Sequence, residues 1–320
     1  MAVLRNKILI LCYGIALAGG WRCSPQIIRR AHVAHSNNPC HLTAYTMPSE
    51  GFLWNEEIPS KTDEKLNAHL SLQALKVAEL IGITPILARL LASENPNLSS
   101  QETVQLTQIV TQRLLWASME VSAMAGEIDC EEEKADQVAV YLDNIIQNRQ
   151  KKLTAGAIII GAVGAIASGS LLALENGGDA PELIGIFTGL FETTLGGLIL
   201  LDKPKIFFSH PRNALRDIWN APTAPEAISP LVWRFLNSTF SPEDGKTLRM
   251  ILVERWSGYG QLEKTASKKG SGTDFLYFGD GGFYTADALQ NRANMLDQLE
   301  SYINLMKQSL AELASALNRK

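Results

Sequence analysis

The sequence predicts a mainly α-helical fold: a helical bundle with an antiparallel two-helix transmembrane hairpin and a C-terminal coiled-coil-like helix. Three observations predict it. Two long apolar runs flank the short acidic, glycine-rich link "ENGGDAPE" at residues 175–182. Apolar residues recur at helical spacing through much of residues 63–152. A heptad runs through residues 285–320. The chain then divides into an apolar segment at 1–22, an irregular segment with Cys and His at 23–62, a helical region at 63–152, the hairpin at 153–201, an irregular and short-helical region at 202–284, and the heptad helix at 285–320.

Residues 1–22 begin with Arg5 and Lys7, continue uncharged from Ile8 to Trp21, and offer Ala16-Leu17-Ala18 as a small-x-small cleavage site. This pattern predicts an N-terminal export signal and a place in the cell envelope. A buried first helix or strand is the alternative. Residues 23–62 are rich in Pro, Asn and Ser and read as irregular surface structure. From Asp63, the spacing of Leu66, Leu70, Val77, Leu80 and Ile81 predicts a helix that Gly82 to Pro85 breaks. Ser99 and Glu102 stand in capping-box positions for a second helix, expected to end near Gly126. A third is expected from the acidic stretch at Cys130, where negative charge suits a helix N-terminus, and to continue into the first apolar run.

Residues 153–174 carry no charge, and residues 183–201 carry one, Glu192. At about 1.5 Å per residue, each run reaches across the roughly 30 Å hydrocarbon core of a bilayer. Every fourth residue of the first run is small: Ala157, Gly161, Ala165, Gly169 and Ala173. The second run repeats this with Gly185, Gly189, Thr193 and Gly197. Such stripes let backbones approach closely where lipid leaves little hydrophobic drive for helix association. A soluble helix would lose about 0.8–1.0 kcal/mol per glycine against alanine. The alternative is a hairpin buried in a soluble bundle. Glu192 at mid-span is costly in lipid and calls for a protein partner, a polar path, or a hydrogen bond to Thr193 or Thr194.

Lys and Arg lie only outside the hairpin, at Arg149, Lys151 and Lys152 and again at Lys203 and Lys205. The positive-inside rule puts both outer ends in the cytoplasm, whereas an export signal puts them outside. The two expectations conflict.

Between Leu201 and Thr285, proline-punctuated connections alternate with short helices expected near residues 231–237 and 246–256, and residues 264–274 read as a flexible loop. Trp233 and Trp256 are expected packing anchors. In the last helix, Leu289, Leu296, Ile303, Leu310 and Leu317 are spaced by seven. Leu299, Met306 and Leu313 occupy the other seam position, which Arg292 interrupts. The seam predicts either packing on the chain's own helices or a helical partner, including a second copy.

Chemistry is sparsely signalled. A net charge of −4 gives no electrostatic reason to expect nucleic acid, which calls for a basic face. The four cysteines are too few for a disulfide scaffold; a Cys23–Cys40 bridge would close a loop of ordinary size in an oxidising compartment, but spacing alone does not show that it forms. Cys23, His32, His35, Cys40 and His41 match no standard zinc spacing, so no metal is assigned. The stretch from Phe275 to Gln290 only partly imitates a phosphate loop; its plain reading is a turn at residues 279–282, then a helix capped by Thr285 or Asp287. No catalytic constellation stands out, so no enzyme activity and no cofactor are expected. The expected partners are a lipid bilayer and a second copy or another helical protein, and the expected role is structural anchoring. The alternative is a pore or transport component in which hairpins surround a polar path containing Glu192.

Overall fold

The computed structural model describes residues 40–41, 66, 70–92, 99–173, 179–201, 203–239, 245–260, 262 and 272–318. The apolar segment 1–22, together with Cys23, His32 and His35, lies outside them. The described chain is mainly helical: α1 (Leu72–Leu80), α2 (Thr84–Ala92), α3 (Ser100–Ala173), α4 (Ala180–Leu201), β1 (Ile206–Ser209), α5 (Ala214–Asn220), α6 (Pro230–Leu236), α7 (Leu248–Gly258), α8 (Gly272–Phe278), β2 (Gly281–Tyr284) and α9 (Ala286–Asn318). The chain forms two compact units. One holds residues 142–206, with α4 and the second part of α3; the other holds residues 32–141 and 207–320.

In the larger unit, α1 starts where the Ser71 hydroxyl accepts from the Ala74 N–H at 3.1 Å. It stops in a paired C-terminal turn. Gly82 donates to the Glu79 carbonyl at 3.0 Å and Ile83 to that of Ala78 at 2.9 Å. Gly82 has a φ of 69°, the left-handed conformation this turn demands. The expected break at residues 82–85 is therefore present, and Pro85 sits in the first turn of α2, where its missing N–H is harmless.

The Ser99 hydroxyl caps α3, accepting from the Glu102 N–H at 3.2 Å. The Glu102 carboxylate does not close the box but pairs with Arg89. The expected break near Gly126 is absent, because α3 is one helix of 74 residues. An exposed mid-helix glycine costs only about 1 kcal/mol. The seam Val110, Leu114, Ala117, Val121, Met124, Ile128, Glu131, Ala135 and Val138, buried except for the half-buried Leu114, runs past Gly126 in unbroken 4-3 spacing. Tertiary burial of that face outweighs the one weak residue.

The heptad of α9 is satisfied within the chain. Leu289, Leu296, Leu299, Ile303, Met306, Leu310 and Leu313 are buried, Leu317 is half-buried, and the helix packs on α1, α6, α7 and β2. The seam is therefore filled by the chain's own elements rather than left open for a partner helix. Trp256 is fully buried and Trp233 half-buried, while Trp219 stacks on Phe278 with centroids 4.5 Å apart.

Four elements depart from expectation: α5 forms where no helix was expected, β2 takes the second half of the expected turn at 279–282, and β1 and α8 differ as follows. The supposed connection at 206–209 is a strand paired with β2. Residues 272–278, which include the end of the expected loop, are helical. The glycines after Phe278 serve the backbone: Gly281 has a φ of 125°, and a Cβ there would overlap the Phe208 carbonyl and stand 2.8 Å from Ser209 Cα. Thr285 then caps α9, accepting from the Ala288 N–H at 3.2 Å.

A disulfide closes the unit where none was expected. Cys40 joins Cys130, with Cα atoms 5.3 Å apart and a separation of 90 positions in sequence. This overturns the Cys23–Cys40 pairing. Sequence proximity suggested that pair, but a long-range fold contact supplies the partner. Next to the bridge, Glu127 receives Arg212 Nε at 2.6 Å and lies 3.7 Å from His41 Nδ1.

Candidate membrane hairpin

In the smaller unit, the second part of α3 and α4 lie side by side and antiparallel. Gly161 faces Glu192, and Gly164 faces Thr188. A Cβ at Gly164 would overlap Thr188 Cγ2 and come 3.0 Å from Thr188 Cβ, so only glycine fits at this separation. At Gly161 a Cβ would overlap the Glu192 carboxylate, the far end of a flexible side chain.

The predicted stripe is thus met by the second helix over only part of its length. Ala157 and Gly161 are partly covered, whereas Ala165, Gly169 and Ala173 are exposed. The reason is geometric. Steps of four residues overshoot a 3.6-residue turn, so the stripe winds around the helix by about 40° per step. The covered face instead follows Gly156, Ile160, Gly164, Ala167 and Leu171, which are buried or half-buried. On α4, a Cβ at Gly185, Gly189 or Gly197 would meet nothing within 4 Å. Gly185, Gly189 and Thr193 are exposed, and Gly197 is half-covered.

The outer surface is apolar. Ile166 is 72% exposed, Leu172 67% and Ile158 66%, and on α4 Ile186, Phe187, Leu190 and Phe191 are exposed too. Among the described residues, one helix, Ser100–Ala173, is long and apolar enough to cross a membrane, and almost none of its apolar window is buried. A soluble core helix would show the reverse.

Hydroxyl groups on this surface are turned inward. Ser168, Ser170, Thr188, Thr193 and Thr194 each donate to the carbonyl four residues earlier, at 2.7 to 3.0 Å. Thr193 and Thr194 therefore spend their protons on the backbone and not on Glu192. The Glu192 side chain is exposed and lies over Gly161.

The larger unit holds a buried polar centre that sequence reading missed. Arg292, the interruption of the heptad, is 1% exposed. Its guanidinium donates to Asn213 Oδ1 at 3.3 Å and to the Tyr277 carbonyl at 3.2 Å. Asn213 in turn donates to the Tyr277 and Gly279 carbonyls, at 2.8 and 2.9 Å. Nearby, Tyr284 donates to the Leu276 carbonyl. The Tyr284 oxygen accepts from His210 Nε2 at 2.7 Å, which leaves His210 Nδ1 without a proton. Burial, reinforced by Arg292, pushes the His210 pKa down to about 2, and burial raises that of Tyr284. Burial also lowers the Arg292 pKa, while Tyr284 and Glu131 oppose the change. Neither His210 nor Tyr284 exchanges a proton near neutrality. The centre therefore ties β1, β2, α8 and α9 together and is not suited to acid–base catalysis. One signal was available: Arg292 in the α9 seam and Glu131 in the α3 seam are single charges of opposite sign.

No family model, curated protein or solved structure matches this chain. Its function rests on its own geometry. Of the Cys/His group considered for metal, Cys40 is spent in the disulfide and His41 faces Glu127. Among the described residues, no cluster of His, Cys, Asp and Glu is arranged to hold a metal ion.

Proposed function

We propose that the chain is a membrane-anchored helical protein in which the apolar parts of α3 and α4 form a transmembrane hairpin. The hairpin holds the larger unit at a membrane surface, as a structural or anchoring component of a cell-envelope assembly. One observation carries this reading: a bilayer-length apolar surface that is exposed among the described residues. The antiparallel contact at Gly161 and Gly164 supports two spans rather than one. The Cys40–Cys130 bridge supports an oxidising compartment for the larger unit, in line with an export signal at residues 1–22. Self-association uses the small residues left exposed, Gly185 and Gly189 on α4 and Gly169 and Ala173 on α3. The α9 heptad takes no part in it.

Glu192 favours a second reading, a pore or transport component. Its carboxylate is exposed at mid-span and makes no hydrogen bond to a described residue, so in lipid it faces another copy or a polar path.

The test is membrane insertion of the full chain with Val163→Lys and Ile166→Lys together. Both positions are exposed, which leaves the larger unit intact. Each Lys at mid-span costs about 2.5–3.5 kcal/mol of insertion. The wild type is expected to float with vesicles and to resist alkaline carbonate, and the double variant to be released. Equal behaviour of the two proteins would rule out the hairpin as the anchor. Leakage of vesicles that is lost in Glu192→Leu would select the pore over the scaffold.

A further inference from the structure

The hairpin separates charge by its two ends. Residues 174–182 contain no Lys or Arg and carry Glu175, Asp179 and Glu182. The other end is basic, and the helix register gathers it into one place. Because α3 and α4 run antiparallel through Gly161–Glu192, stepping back along α3 to Lys152 corresponds to stepping forward along α4 to Leu201. Arg149, Lys151 and Lys152 therefore share one end of the hairpin with Lys203 and Lys205. All four lysines are exposed, and none of them is paired with a described residue. Asp202 and Asp143 are the nearby acidic groups in sequence.

The positive-inside rule would keep this end cytoplasmic. The Cys40–Cys130 bridge argues that the connected larger unit, and so this end, stays in an oxidising compartment. The lysines then sit at the headgroup level of the leaflet facing that compartment. We infer that Lys151, Lys152, Lys203 and Lys205 form a collar that binds anionic phospholipid headgroups there. This rests on the hairpin reading and adds the lipid class. The collar captures an anionic surface through charge, and the apolar runs then enter it.

Each Lys near an anionic surface contributes about 1 kcal/mol. Four of them convert to roughly a thousandfold in partition coefficient, and the neighbouring aspartates reduce the expected effect to on the order of a hundredfold. The experiment measures co-sedimentation of the oxidised full chain with phosphatidylcholine vesicles, with and without phosphatidylglycerol, at low and high salt. The comparison protein carries Lys→Gln at all four positions, its fold checked by circular dichroism and by the intact disulfide. The wild type is expected to bind the anionic vesicles on the order of a hundredfold more tightly, with the gap shrinking in high salt. The variant is expected to bind both kinds alike. A variant that keeps the preference, or a wild type that binds both equally, overturns the collar and leaves the hairpin standing. Failure of the wild type to bind either vesicle removes the hairpin reading and the collar with it.

Discussion

His210 makes the larger unit's stability depend on pH in a calculable way. In the folded chain its imidazole is buried against Tyr284 and Arg292, with a pKa pushed down to about 2, while an unfolded histidine titrates near 6.5. The unfolded state therefore binds the extra proton, and stability rises with pH between these values. The contribution is complete above about pH 6.5 and is lost progressively below it, down to about pH 2. By pH 5 the loss is about 2 kcal/mol relative to pH 8, a figure insensitive to the folded value so long as that stays well below 5. Other groups titrate too. Burial and the nearby carboxylates of Asp136, Asp297, Glu133 and Asp129 raise the Glu132 pKa, so Glu132 changes stability in the opposite sense. That term is common to wild type and His210→Gln and cancels in their difference. Urea titrations of both proteins, followed by tryptophan fluorescence at pH 8 and pH 5, should give a wild-type loss about 2 kcal/mol larger than the variant's. Equal losses would refute a buried, neutral His210.

Three substitutions test the helices. Gly164→Leu should push α4 away from α3, because even a Cβ there stands 3.0 Å from Thr188 Cβ, whereas at the exposed Gly169 a Cβ meets nothing within 4 Å and Gly169→Leu should be tolerated. Overpacking of about 1–3 kcal/mol would lower cross-linking of cysteines placed at Ala167 and Ile184 in the first case and leave it unchanged in the second. Gly126→Ala, with open space around the new methyl, should stabilise the larger unit by about 1 kcal/mol in the same urea assay.

Local periodicity made much of this fold legible in advance. The Ser99 and Thr285 caps, the break at Gly82, the α9 seam and the apolar runs are all encoded by residues within a few turns of each other. Features that depend on distant partners were not legible. Cys130 bonds to a residue 90 positions away, and β1 is a strand because Gly281 lets β2 approach it. The continuity of α3 through Gly126 was readable, had the buried 4-3 spacing from Val110 to Val138 been followed past the glycine. The second helix covers the small-residue stripe over only part of its length because a repeat of four is not the helix period, and the contact follows the period instead.

The central claim is that the hairpin crosses a bilayer with the larger unit left on the side of entry. Sidedness of the hairpin tip tests it most directly. In a chain with Cys12 and Cys23 replaced by serine and the Cys40–Cys130 bridge intact, a single thiol is placed at Asp179 in the tip or at Ser257 in the larger unit, both exposed. Each protein is added to preformed vesicles and treated with an impermeant maleimide. The account predicts that Ser257→Cys labels at once and Asp179→Cys only after detergent, with both proteins resistant to carbonate. Immediate labelling of Asp179→Cys in carbonate-resistant protein would contradict it, because the tip would not have crossed.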